Sequence, residues 1–345
     1  MSATVLPWHR PVVEDLVARR ATLPHALLIH GREGTGLVEL ARGIAQSLLC
    51  ESGQGGTACG ACPACGWFRD GNHPDFREVR PESLDEEDAS PADSDAPEGK
   101  EEKKSLFIKI DQIRALADFM MLTTHRDGLR ILVLHPAESM KSEAANALLK
   151  TLEEPPPRTL ILLVTSRVGR LLATIRSRCQ KLAAPRPAPD VALSWLRAQG
   201  VGQPELALAA AGGAPLDAVA FAAPEYQAAR SAFVRVLADP RGDMLACAQA
   251  HEKADLTQPL LWLHTWVHDL MLGLHALPPA YFPDQSAALS RIAGSANARA
   301  VCRFETSLRE ARRLVHHPLN PRLFLEQLLI SYAAAIEPVS PAKRP

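Results

Sequence analysis

Apolar strands alternate with helical segments through the first half of this 345-residue chain, and the alternation then stops. Three observations predict a parallel α/β sheet domain followed by helical domains. Continuous apolar runs at Ala26 to Ile29, Leu129 to Leu134 and Thr159 to Ser166 belong to a sheet covered on both faces. Helical stretches separate these runs, as parallel pairing requires. Beyond about Leu182 the chain passes through the Pro-rich "AAPRPAPD" into Ala/Leu-rich sequence without a convincing strand.

The first strand runs into Gly31, then Gly34 and Gly36, and a helix is predicted from Leu37 to Leu49. This resembles a phosphate-binding loop, whose pattern is Gly, four residues, Gly, Lys, then Ser or Thr. Gly31 and Gly36 fit, but Leu37 stands where the lysine belongs and Val38 where the hydroxyl belongs. Next, "LFIKIDQIRALADFMM" begins like a strand. Asp111 can then cap a helix with Ile113, Leu116, Ala117 and Met120 on one face. The second apolar strand ends in His135 and Pro136, where an active phosphate-loop ATPase has an acidic residue for Mg²⁺. "SEAANALLKTLEEPPP" is a helix stopped by Pro155 to Pro157. The third strand follows. A break at Gly212 to Pro215 divides a short helical segment from a longer one, and no repeat recurs at a fixed period. The combined loss of the lysine, the hydroxyl and the acid argues against hydrolysis at this loop. A turn that was never a nucleotide site is the plainer alternative, and the loop alone leaves it open.

Apolar residues make up 47% of the chain and charged residues 22%, as in soluble globular proteins. No apolar run approaches the roughly 20 residues that span a bilayer, and the N-terminus has no secretory core, so a cytoplasmic location is expected. The net charge of −1 hides an asymmetry. From Pro81 to Lys104 ten acids and three lysines give −7, leaving +6 elsewhere. That acidic segment is poor in apolar residues and reads as a disordered surface loop.

Cys50, Cys59, Cys62 and Cys65 fall within sixteen residues. Four thiolates form a closed tetrahedral zinc site, structural rather than catalytic, and two-residue gaps let a tight turn present successive sulfurs. Gly53, Gly55, Gly56, Gly60 and Gly66 lend the backbone freedom of such a knuckle. Reduced, unligated thiols are the bland alternative. Cys179, Cys247 and Cys302 are isolated and read as small buried hydrophobes. His30, His135, His316 and His317 show no ligand spacing and read as core or surface filler. Arg176 and Arg178 lie two apart near the end of the α/β domain. An arginine at a domain edge can stabilise phosphate charge in a neighbouring subunit. On composition alone, a surface arginine paired with a carboxylate is the better reading.

"NALLKTLEEPPPRTLILLVTS" followed by "LLATIRSRCQ" resembles the AAA+ subunits of the bacterial replicative clamp loader of DNA polymerase III. Ser177-Arg178-Cys179 matches that family's Ser-Arg-Cys motif, and the four-cysteine cluster matches its zinc module. The degenerate phosphate loop and the C-terminal "NPRLFLEQLLISY" resemble its non-hydrolysing member. The likeness covers essentially the full chain, and the acidic stretch 83–104 departs from it as an insertion.

The resemblance implies an AAA+-type domain over 1–182 with a zinc module at 50–65, a small helical lid over 183–214, a helical collar over 215–338 and a disordered tail at 339–345. It implies that Arg178, between its motif neighbours Ser177 and Cys179, acts in trans on the ATP of an adjacent subunit. The family's ATPases carry an arginine in a stretch matching Gly213 to Ala218, where this chain has Leu216. No nucleotide is therefore expected on the loop of Gly31, Gly34, Gly36, Leu37 and Val38. Zn²⁺ is the one expected cofactor. The implied partners are the gamma/tau ATPase subunits and the delta subunit in a five-membered ring, the sliding clamp, and primed DNA. Whether to count it as an enzyme is ambiguous: the chain itself would not hydrolyse ATP, yet it would belong to a DNA polymerase holoenzyme. One rival makes the chain an ATPase motor subunit of the same loader, which Leu37 opposes. Another makes the cysteine knuckle a nucleic-acid reader, but only Trp67, Phe68 and Arg69 follow it.

Overall fold

The computed structural model describes residues 5–52, 56–84, 105–121, 128–239, 242–252, 255–315 and 319–337. Residues 85–104 of the acidic stretch, Gly53, Gly55, His316, His317 and the tail 339–345 lie outside the described residues. The chain divides into two compact units, Met1–Val191 and Ala192–Pro345.

The first unit contains α1 (Arg10–Ala18), β1 (Ala26–His30), α2 (Leu37–Leu49), α3 (Pro63–Arg69) and β2 (Phe76–Val79). It continues with α4 (Ile110–Met121), β3 (Arg130–Leu134), α5 (Ser142–Glu153), β4 (Thr159–Thr165), α6 (Ala173–Arg176) and β5 (Gln180–Ala183). The five strands form one sheet in the order β2-β3-β4-β1-β5, and every pairing is parallel. Every residue of β3 and β4 is buried, as continuous apolar strands between two helical layers must be. Alternate residues feed two cores. Leu28, Leu132, Ile161 and Leu163 pack on one side with α4, α5 and Ile175 of α6. Leu27, Ile29, Ile131 and Leu162 pack on the other side with α1, α2 and Phe68 of α3.

Two strands escaped the periodicity reading. β2 (Phe-Arg-Glu-Val) and β5 (Gln-Lys-Leu-Ala) are short and polar because each lies on a sheet edge. The strand-like start before α4 amounts to a single bridge between Ile108 and Met140. Asp111 is not a cap. It lies in the first turn of α4, and the Gln112 side chain accepts from the Lys109 N–H at 2.8 Å instead. Ile113, Leu116 and Met120 are buried as expected. α5 ends at Glu153 because the residue before Pro155 is barred from helical geometry.

The second unit is helical apart from its turns. α7 (Pro189–Ala198), α8 (Pro204–Ala210) and α9 (Pro215–Phe221) share a small core of Ala192, Leu196, Ala207, Leu208, Ala211, Ala214 and Ala218. The Gly212 to Pro215 break falls inside this core. α10 (Pro224–Ala238), α11 (Met244–Ala250), α12 (Thr257–Leu274), α13 (Ser286–Ser295), α14 (Ala298–Leu314) and α15 (Pro321–Ile336) build a larger one around Trp266, Phe233, Phe282 and Tyr332. The Trp266 indole N–H donates to the Tyr332 hydroxyl at 2.7 Å, which donates to the Leu237 carbonyl at 2.9 Å. The fully buried Asp269 carboxylate accepts from the N–H groups of Ala280, Tyr281 and Phe282 at 2.8 to 2.9 Å. Cys302 is exposed rather than buried, one residue off the buried stripe of α14 that runs through Val301, Phe304 and Leu308. Cys247 is half-buried and Cys179 is buried. Among the described residues no helix is long and apolar enough to cross a membrane.

Candidate functional site

The glycine loop leaves the C-terminal end of β1 and enters α2 at Gly36, whose φ of 88° is the left-handed conformation that favours glycine. Its surroundings are filled. A Cβ on Gly36 would stand 2.5 Å from Leu6 Cδ1 and 3.0 Å from His9 Cε1. A Cβ on Gly31 would stand 2.9 Å from Leu37 Cδ2, because the Leu37 side chain folds back against the loop. Leu37 is buried in the α1–α2 core, and Val38 packs against the same core. The Trp8 indole N–H donates to the Thr35 carbonyl at 2.9 Å, and the Thr35 hydroxyl donates to the Arg32 carbonyl at 2.6 Å. His9 is fully buried beside the loop. Burial pushes its pKa down to about 4, so the imidazole is neutral at pH 7. The position of the phosphate-binding cation thus holds an aliphatic side chain, and the nearby imidazole carries no charge.

The end of β3 corrects the reading of His135 as filler. His135 Nε2 lies 2.7 Å from Glu78 Oε1 on the neighbouring β2. Arg42 of α2 donates to the same carboxylate through Nε at 2.8 Å and Nη2 at 2.6 Å. Burial alone would raise the Glu78 pKa, but the bonds from Arg42 and then His135 outweigh it and hold the carboxyl at about 2. Where the Mg²⁺-binding acid would stand, the chain has a closed ion cluster joining α2, β2 and β3. Sequence reasoning missed it because the three residues are far apart. The available signal was Arg42 set between Ala41 and Gly43 on a mostly apolar helix.

Arg178 sits between α6 and β5. Its Nη2 lies 2.5 Å from Glu153 Oε1, and its Nη1 donates to the Thr174 carbonyl at 3.0 Å. The Ser177 hydroxyl donates to the same carbonyl at 3.0 Å. Cys179 is buried in the α4–α5 core, and burial pushes its thiol pKa up to about 11, so it stays protonated. Because β5 runs parallel to β1, Arg178 lies at the sheet edge where strands begin, while the glycine loop lies where they end. β1 alone spans five residues, roughly 16 Å. In the second unit, Leu216 is a half-buried residue of α9, preceded by Gly213 at a φ of 86°.

The four cysteines come together. Cys50 caps the C-terminus of α2, Cys62 caps the N-terminus of α3, and Cys65 lies in the first turn of α3. All four sulfurs lie within 4.8 Å of one another, with Cys50–Cys62 at 3.9 Å and Cys59–Cys65 at 4.0 Å. A tetrahedral site with metal–sulfur bonds near 2.3 Å requires sulfurs about 3.8 Å apart. Backbone N–H groups point at the sulfurs: Ala61 and Cys62 donate to Cys59 at 3.4 and 3.3 Å, and Cys65 donates to Cys62 at 3.5 Å. The Ser52 hydroxyl bond, followed by those N–H groups, lowers the Cys59 thiol pKa to about 6. Gly60, at a φ of 73°, makes the turn between Cys59 and Cys62. Four sulfurs at these spacings could hold a metal ion and would leave no coordination position open.

Together these features define a parallel α/β domain with a filled glycine loop and a four-cysteine module, followed by helices. The model of the family described as "DNA polymerase III, delta subunit" matches residues 12–187, and that of its C-terminal part matches residues 224–333. The DNA polymerase III subunit delta' of Pseudomonas aeruginosa is 30% identical over 96% of this chain and 98% of that protein. The delta' subunit of Escherichia coli is 32% identical over 78% of this chain and 77% of that protein. A gamma subunit-related protein of Thermotoga maritima is similar in structure, at 19% identity over 95% of this chain and 100% of that chain, with a TM-score of 0.45. The chain belongs to the DNA polymerase III delta-prime family of clamp-loader subunits.

Proposed function

We propose that this chain is a non-hydrolysing member of the clamp loader that completes the ATP site of a neighbouring gamma/tau subunit. Arg178 is the residue that acts in trans, with Ser177 and Cys179 setting its place. The opposite-edge topology carries the assignment: Arg178 leaves the sheet at the strand starts, so it cannot serve its own glycine loop, which lies at the strand ends. The filling of that loop by Leu37, Leu6 and His9 supports a role in assembly rather than turnover. Zn²⁺ held by Cys50, Cys59, Cys62 and Cys65 is structural. In this reading the chain joins gamma/tau and delta subunits in a five-membered ring through its collar helices. That ring opens the sliding clamp and sets it on primed DNA in the cytoplasm.

The test is the DNA-stimulated ATPase of a loader reconstituted with its partner subunits. By analogy with other arginine fingers, Arg178→Ala lowers that rate by up to roughly 10³-fold, while the isolated chain stays inert. A normal rate in the variant loader removes the trans role, and ATP turnover by the isolated chain restores the motor-subunit reading.

A further inference from the structure

We propose that Glu153 is a positioning residue for Arg178: its carboxylate holds the guanidinium in cis until a neighbour's nucleotide phosphate displaces it. This rests on the trans role of Arg178 proposed above. The guanidinium has two anchors on its own chain, the Glu153 carboxylate at 2.5 Å and the Thr174 carbonyl at 3.0 Å. Both anchors are fixed by the fold. Glu153 is the last residue of α5, immediately before the turn that Pro155 enforces, and Thr174 belongs to α6. Cys179, buried beside Arg178, pins the backbone on the other side.

The strength of the pair is what makes it a holder rather than a lock. The Arg178 and Glu153 side chains keep 34% and 49% of their surface exposed. An ion pair this open to solvent is screened and weak. A nucleotide polyphosphate carries several negative charges and accepts the guanidinium fork bidentately. Presented with that phosphate, the guanidinium changes partner; without it, the guanidinium returns to Glu153. The carboxylate therefore competes with the nucleotide for one cation. It raises the ATP concentration at which the neighbouring site is completed, without entering the chemistry.

The experiment uses the reconstituted loader with primed DNA and the clamp, measuring KM for ATP and kcat for wild type, Glu153→Gln, Arg178→Ala and the double variant. Glu153→Gln keeps the side chain's shape and removes its charge. The expected result is a KM lowered about two- to five-fold, the range of an exposed ion pair, with kcat unchanged and no effect of Glu153→Gln in the Arg178→Ala background. An unchanged or raised KM in Glu153→Gln, while Arg178→Ala still slows the loader, overturns the holding role and leaves the trans role standing. If Arg178→Ala has no effect, the trans role and the holding role fall together. Thermal unfolding of the isolated Glu153→Gln chain at the wild-type temperature shows that the fold is intact in each case.

Discussion

Glu78→Gln probes the ion cluster that stands in place of a metal-binding acid. The Glu78 carboxyl titrates near 2 in the folded chain against an ordinary value of 4.5. Its side chain is 15% exposed, so the gap is little screened and corresponds to about 3 kcal/mol of stability at pH 7. The folded value is depressed, so this contribution is complete above pH 4.5 and is lost as the pH falls toward 2. By pH 3 less than half of it remains, on the order of 1 kcal/mol. Gln at this position removes the charge and leaves Arg42 and His135 facing a neutral amide. Hydrogen exchange read by mass spectrometry in peptides spanning β3 isolates the first unit from the second. Protection there should fall on the order of 100-fold in Glu78→Gln at pH 7 and on the order of 10-fold at pH 3. A loss of equal size at both pH values, or one below about five-fold at pH 7, would refute the claim that the carboxylate is a largely buried anchor for Arg42 and His135.

Further outcomes follow from the two other polar centres. Native mass spectrometry should find one zinc ion per chain. Cys62→Ser or a strong chelator should release it and expose the 50–62 segment to protease, while the sheet of the first unit, with cores on both faces, stays folded. Asp269→Ala strips the acceptor from three backbone N–H groups. At about 1 kcal/mol or more for each group left unsatisfied, urea unfolding of the second unit should register a loss of at least about 3 kcal/mol.

Legibility in the sequence followed burial. β1, β3 and β4 could be read because interior parallel strands are uniformly apolar, and α2 could be bounded because Gly36 and Cys50 mark its ends. β2 and β5 could not, because an edge strand needs no apolar run and Arg77, Glu78, Gln180 and Lys181 give no strand signal. The cysteine cluster was visible because its ligands are close in sequence. The Arg42–Glu78–His135 cluster was not, because its members come from three elements and meet only when the sheet forms. Arg178 stood out through its neighbours, and the plain expectation of a surface arginine facing a carboxylate also held. Glu153, 25 residues earlier, could not be chosen from among the other acids.

The sheet order has a mechanical consequence. β5 lies beside β1 in register from Leu27–Gln180 to His30–Ala183, and the Ala184 N–H continues the ladder by donating to the His30 carbonyl at 2.8 Å. A pull applied to Arg178 along the axis of β5 would load the β1–β5 hydrogen bonds together in shear, instead of peeling them one after another. Tension entering at the arginine end passes through the strand pair to Ala184, whose Cβ lies against Gly31 at the start of the apolar-filled loop. An empty pocket there would absorb that load by collapsing. Packed with Leu37, Leu6 and His9, the loop leaves no such slack between the end of β5 and α2.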